Sequence, residues 1–225
     1  HRERVLDVAC GDGYLLELLV RRFPGARFTG VDASAQELQM ARERTALRDV
    51  ALIEARVEAM PIDTGAMDAV VCHMALMLFD DARSVVREVA RVLPGDGMFA
   101  AVLGPAPGAG SQLRDYGAKL RELEREAGCS PLDVGDDATA SAASLRDLFE
   151  PAVWREPDIA DTTVQLCDPK DVHGMLMSMY NVARLPESGR LELSSYLCDR
   201  LDAARSPFEP ADWAMGLRHV VAYRA

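Results

Sequence analysis

The run Val5-Leu6-Asp7-Val8-Ala9 followed by Cys10-Gly11-Asp12-Gly13 constrains this chain more than any other stretch. The first five residues form an apolar segment of buried-strand length, and Leu15, Leu18 and Leu19 then recur at helical spacing. Between them, Gly11 and Gly13 let the backbone turn sharply and leave no Cβ in the way of a ligand. A strand, a glycine turn and a helix N-terminus make a socket of backbone N–H groups at the carboxyl edge of a sheet.

Several ligands use such sockets, and the neighbouring residues narrow the choice. A dinucleotide fingerprint needs a third glycine three positions after Gly13, where Leu16 stands. A phosphate-binding loop needs Gly-Lys-Ser/Thr, which is absent. Instead Asp7 sits in the strand four residues before Gly11, where a carboxylate at the mouth can face a cation. On this stretch alone, a generic nucleotide-type turn remains a competing reading.

The pattern Asp7-x-Ala9-x-Gly11-x-Gly13 resembles motif I of the class I S-adenosylmethionine (SAM) dependent methyltransferases, of the small-molecule, type 11-like kind. Glycine is usual there at the position of Ala9, a small residue expected to fit. Ala26 to Asp32 reads as a second strand ending on an acid 19 residues after Gly13, near the ~20 expected of a ribose-binding carboxylate. Asp32 or Ser34 could equally cap a helix over 35–44, and the two roles are compatible. A third strand, 50–54, leads into Ala55-Arg56-Val57-Glu58-Ala59-Met60-Pro61-Ile62, which resembles a family segment whose acid meets the adenine amino group. Arg56 replaces that acid, and arginine only donates. Adenine recognition is then expected at the backbone of Arg56 and Val57, with Glu58 as a side-chain acceptor.

Met67 to His73 reads as a fourth strand, near-continuously apolar like a central parallel strand. Asp80-Asp81 caps an amphipathic helix through Leu93, and Pro94-Gly95-Asp96-Gly97 turns into a fifth strand over 98–103. The resemblance covers residues 4 to 103 in one register, with four matching segments. Independently, the alternation of strand and helix predicts an α/β, Rossmann-like doubly wound sheet, mostly parallel. The resemblance adds an antiparallel last strand, placed at Arg218 to Arg224, and helical hood insertions. One domain over 1–225 is expected, with the hood at about 104–150 and 167–210. Within it, helices are expected over 112–127, 145–149, 168–182 and 187–205, and a strand across 153–166. The stretch 135–144, rich in small and polar residues, is expected to be of low local stability.

Composition excludes other classes. A formal charge of -11 and a pI near 4.8 disfavour nucleic acid, whose phosphates would be repelled. No segment approaches the apolar length of a membrane span, and no signal peptide is visible. Five cysteines, Cys10, Cys72, Cys129, Cys167 and Cys198, lack a paired spacing. They read as reduced thiols of a cytoplasmic protein without a metal site. The numbering opens at His1, directly before the first strand, and preceding residues are expected.

The resemblance implies SAM as cofactor, S-adenosyl-L-homocysteine (SAH) as product, and a small-molecule methyl acceptor that is mostly apolar or aromatic. It carries cofactor contacts onto Asp7, Ala9, Cys10, Gly11 and Gly13. It also carries them onto Asp32, Ala33, Arg56, Val57, Glu58 and the Cys72-His73 edge. Transfer from an activated sulfonium needs mainly in-line alignment, so no strict catalytic motif is expected. For a hydroxyl acceptor a histidine base would help, and His73 and His173 are the candidates. His1 is terminal and His219 lies in the last strand. In the helix over 168–182, His173, Leu176, Met177 and Tyr180 share one face, which reads either as an acceptor wall or as ordinary core. Two other classes stay open: a nicotinamide-dependent oxidoreductase, and a SAM-binding protein that has lost methyl transfer. Nothing in the sequence specifies an oligomeric state.

Overall fold

The computed structural model describes residues 3–104, 106–130, 135–166, 168–203 and 213–225. Its elements run β1 (Arg4–Val8), α1 (Tyr14–Arg22), β2 (Arg27–Asp32), α2 (Ala35–Glu43), β3 (Ala51–Glu54), β4 (Ala69–His73), α3 (Ala82–Val92) and β5 (Met98–Leu103). After these come α4 (Ser111–Glu126), α5 (Ala142–Arg146), β6 (Asp158–Gln165), α6 (Pro169–Met177), α7 (Tyr180–Ala183), α8 (Glu187–Ala203) and β7 (Ala214–Tyr223).

The strands form one sheet in the order β3-β2-β1-β4-β5-β7-β6, parallel from β3 to β5, with β7 antiparallel to β5. The chain therefore winds outward from β1 through β2 to β3, then returns to place β4 on the other side of β1. That reversal leaves a crevice at the carboxyl ends of β1 and β4, where ligands of such sheets bind. Strand burial explains the pairing: Leu6, Val8, Val31 and Val70 are fully buried, as residues of a sheet covered on its faces must be.

Two compact units divide the chain: residues 1–103, 134–160 and 218–225 in the first, and 104–133 and 161–217 in the second. In the first unit, α3 lays Val85, Val86, Val89 and Val92 against the apolar face of the sheet, and Asp81 caps it by accepting from the Ser84 N–H at 2.9 Å. Phe99, Phe149 and Trp154 meet in the same cluster, the last two edge to face at 5.5 Å. A separate cluster of Leu16, Phe28, Leu38, Ala41 and Leu47 joins α1 and α2 to the edge of β2. In the second unit, Tyr116, Leu120, Val172, Leu176, Leu193 and Leu197 bring α4, α6 and α8 together.

The expected hood of 104–150 is thus shared between the units, because Leu145, Leu148 and Phe149 are buried with the sheet core. The stretch 135–144 is also more tied down than its composition suggests. Asp136 accepts from Ala82 N–H at 3.2 Å and from Ala138 N–H at 2.8 Å, and Ser141 and Ser144 form a reciprocal capping box. The helix expected over 168–182 breaks after Met177, where Ser178 turns its hydroxyl onto the Met175 carbonyl at 2.9 Å. Cys167, Arg205 and the side chain of Tyr180 lie outside the described residues; the other four cysteines are free thiols.

Candidate cofactor site

The crevice predicted by the winding order is an open cleft of about 220 Å³, entirely within the first unit. Its walls are Asp7, Ala9, Cys10, Gly11, Asp12, Tyr14, Leu15, Glu37 and His73. The first seven follow from the local course of the chain: Asp7 lies near the end of β1, the loop after Val8 brings Ala9, Cys10, Gly11 and Asp12, and Tyr14 and Leu15 open α1.

The two glycines of that loop do different work. Gly11 has φ +54°, and a Cβ there would make only ordinary contact with Glu37 at 3.6 Å, so the space above it is open to a ligand. Gly13 has φ +78°, and its Cβ would lie 2.5 Å from the Leu47 side chain and 3.1 Å from Ala41. At Gly13 a side chain would also meet the protein's own packing, in addition to the left-handed backbone. Ala9 itself adopts φ +54°, a left-handed conformation that costs an L residue with a Cβ roughly 1–2 kcal/mol. The alanine fits sterically but under strain.

Backbone and carboxylate hold the loop. The Gly11 N–H donates to Asp32 Oδ2 at 2.8 Å, and the Ser34 N–H donates to Oδ1 at 2.8 Å. Ser34 in turn caps α2 by accepting from the Glu37 N–H at 3.2 Å. Arg44 closes the other side: its Nε donates to the Asp12 carbonyl at 2.6 Å, and its other nitrogens pair with the Asp12 and Glu17 carboxylates.

Asp7 is 1% exposed, and among the described residues neither carboxylate oxygen has a hydrogen-bond partner. Burial first, then the charge of Asp32, pushes its carboxyl up to about 8. Glu37 is also raised, by partial burial and by Asp12 and Asp32. The Cys10 and Cys72 thiols are pushed up to about 12 by burial and by Asp7, which keeps them protonated and unreactive at neutral pH. His73 is exposed, yet the enclosure of its ring lowers its pKa, so the imidazole is predominantly neutral at pH 7.

The cleft therefore brings together Asp7, Ala9, Cys10, Gly11 and His73. Asp32 stands behind it through Gly11, while Ala33 is exposed and Cys72 is buried beneath. Val57 is buried in the core, and Arg56 and Glu58 pair with each other at 2.7 Å, so the arginine has a partner in its own segment. His173 belongs to the second unit, where its Nε2 lies 3.0 Å from Ser194 Oγ. Asp12, Tyr14, Leu15 and Glu37 were not singled out by the motif. Asp12 and Tyr14 flank Gly13 in sequence, but only the placement of α2 brings Glu37 there. Among the described residues no group of His, Cys, Asp and Glu could hold a metal ion, and no helix is long and apolar enough to cross a membrane.

Residues 6–101 match a family model described as "Methyltransferase domain". The chain is 34% identical over 111 residues to a demethylmenaquinone methyltransferase of Thermus thermophilus, covering 48% of this chain and 50% of that protein. It is 40% identical over 101 residues to a ubiquinone biosynthesis O-methyltransferase of Neisseria meningitidis, covering 43% and 42%. The chain thus spans about half or less of the length of these relatives. Among solved structures, YcgJ from Bacillus subtilis superimposes with a TM-score of 0.59 at 21% identity, over 99% of this chain and 92% of that one. A Haemonchus contortus phosphoethanolamine N-methyltransferase in complex with SAM gives a TM-score of 0.59 at 14% identity, over 99% and 48%.

Proposed function

We propose that this chain, whose residues 6–101 match a methyltransferase family model, carries a class I SAM-dependent methyltransferase domain and transfers the methyl group of SAM to a small acceptor bound beside the cleft. The observation that carries this reading is the buried, unpartnered Asp7 in a cleft that also presents Glu37. A buried carboxyl without a partner at the floor of an open cleft favours a cationic ligand, because a nearby cation offsets the cost of ionising a group that burial otherwise keeps protonated. Among the described residues no lysine or arginine walls the cleft to meet a diphosphate, which argues against the nicotinamide alternative together with Leu16 in place of the third glycine.

The residues present fit such a cofactor. Asp7 would hold the ammonium end, the open face of Gly11 would admit close approach, and Asp32 keeps lone pairs free for ribose hydroxyls after accepting from Gly11 and Ser34. The cofactor supplies a methyl group already activated on a sulfonium. The chain's own part is to hold donor and acceptor in line and to exclude water, an arrangement that can supply effective molarities of about 10⁵–10⁸ M. His73, neutral and at the cleft wall, would accept the proton of an acceptor hydroxyl at an imidazole nitrogen.

A mostly apolar or aromatic acceptor is supported by the similarity to a demethylmenaquinone methyltransferase and to a ubiquinone biosynthesis O-methyltransferase. Calorimetric titration with SAM, followed by transfer of radiolabelled methyl to a panel of phenols, carboxylic acids and amines, tests the proposal. SAM binding with transfer to one class is the expected result. Absence of SAM binding would overturn it, and binding without transfer to any acceptor would favour a SAM-binding protein that has lost the activity.

A further inference from the structure

Arg44 stands outside the walls of the cleft, yet it grips the loop and the helix that form one of them. It is the C-terminal cap of α2, 32 positions after Asp12. Its Nε donates to the Asp12 carbonyl at 2.6 Å, one Nη pairs with the Asp12 carboxylate, and the other donates to Glu17 at 2.7 Å. The guanidinium also lies over the Tyr14 ring, 5.8 Å from its centroid and within the range of a cation–π contact. The second Asp12 oxygen accepts from the Tyr14 N–H at 3.2 Å, so one carboxylate joins Arg44 to the first residue of α1. Of the residues held in this way, Asp12 and Tyr14 line the cleft and Glu17 does not.

We infer that Arg44 is a positioning residue for the cofactor, fixing Asp12 and Tyr14 in the cleft wall from outside the cleft. The inference rests on the methyltransferase reading above and concerns how tightly the cofactor is held. The three guanidinium nitrogens form a rigid planar fork, and they meet three acceptors set apart by the loop and α1. A lysine ammonium carries the same charge on a single nitrogen. It can keep an ion pair, but it does not reproduce the three-point geometry.

Lysine in place of Arg44 therefore separates charge from shape. The geometry of the wall serves SAM and SAH alike, because the two differ only by the methyl group and the sulfonium charge. A cation acting directly on the ligand would instead repel SAM and leave SAH unaffected. Positioning and direct electrostatic action thus leave different marks on the two affinities.

Calorimetry with SAM and with SAH tests the inference, beside urea unfolding of each variant. Arg44→Lys is expected to be folded at the assay temperature and to bind both ligands at full stoichiometry. Each should bind roughly tenfold more weakly, the equivalent of one lost charge-assisted contact. Arg44→Ala should weaken both by a larger common factor. Unchanged affinities in Arg44→Lys would overturn the inference, because charge alone would then suffice, and would leave the methyltransferase reading intact. Unequal changes for SAM and SAH would overturn it as well, as the mark of direct action on the sulfonium. Should Arg44→Lys not fold, Glu17→Gln loosens one arm of Arg44 without altering a residue of the cleft wall. It should weaken both ligands by one common factor, and unchanged affinities would overturn the inference. Failure of the wild-type protein to bind either ligand would overturn the methyltransferase reading and this inference with it.

Discussion

The Gly11 N–H donates to Asp32 Oδ2 at 2.8 Å, which ties the glycine loop after β1 to the end of β2. Because the Ser34 N–H occupies the other oxygen, Asp32 positions both the loop and the start of α2. Asp32→Ala is therefore expected to cost stability as well as affinity. Hydrogen bonds to a charged acceptor contribute about 1.5–3 kcal/mol each, so losing both is expected to cost about 3 kcal/mol or more in urea unfolding, with weaker SAM binding by calorimetry. A variant with unchanged stability and unchanged affinity would remove Asp32 from both roles.

The two loop glycines should separate stability from binding. Gly13→Ala places a methyl group 2.5 Å from Leu47 in a left-handed conformation, and should unfold at clearly lower denaturant. Gly11→Ala meets no protein atom closer than 3.6 Å and should lose only about 1–2 kcal/mol from its backbone conformation. Its larger effect should fall on SAM affinity. Equal stability losses with equal binding would contradict this division.

Ala9 offers a stabilising change. Its φ of +54° is a conformation glycine adopts freely, so Ala9→Gly should relieve about 1–2 kcal/mol of strain against a smaller entropic loss. A rise in the urea midpoint without a change in slope is the expected outcome, and a fall would show that the loop tolerates alanine better than its geometry implies.

Asp7 makes stability depend on pH in a definite direction. Its folded value near 8 stands above the ordinary carboxyl value of about 3.9, through burial first and Asp32 second. Below about pH 4 both states hold the proton, and its stabilising contribution is fully present. As pH rises through about 8 the unfolded chain has released the proton and the folded one gives it up at a cost, so that contribution is lost. Asp7→Asn should flatten this decline between pH 5 and 8.5 in urea unfolding. In the wild type, SAM affinity should rise across the same window, as an ionised Asp7 attracts the cation. A decline of the same steepness in Asp7→Asn would assign the pH dependence elsewhere.

For a hydroxyl acceptor, His73→Ala should lower kcat by roughly 10²–10⁴-fold while SAM affinity is retained. The enclosure that lowers the imidazole pKa places the acid limb of the wild-type kcat profile below that expected of an ordinary imidazole. Full activity in the variant, or loss of SAM binding with it, would exclude a role as base.

The glycine turn, the acid at the end of β2 and the alternation of strands and helices were legible in the sequence because each rests on local rules. Strand burial, turn conformation and helix capping are set by residues a few positions apart, as Ser34 with Glu37 and Asp81 with Ser84 illustrate. Spacing therefore located the cleft. It did not reveal that a side chain at Gly13 would meet Leu47, which lies 34 positions away, or that Ala9 would have to turn left-handed.

What only the tertiary structure decided is the environment of each charge. Asp7, Asp12 and Glu37 are three carboxylates of one chain, and their sequence gives no sign of their different fates. The fold buries Asp7 without a partner, gives Asp12 to Arg44, and leaves Glu37 facing the cleft beside its like charges. It likewise engages His173 with Ser194 while His73 stands at the cleft wall. Local sequence sets where the backbone bends. Electrostatic environment depends on which segments, remote in the chain, come to lie against one another, and that is a property of the packed fold alone.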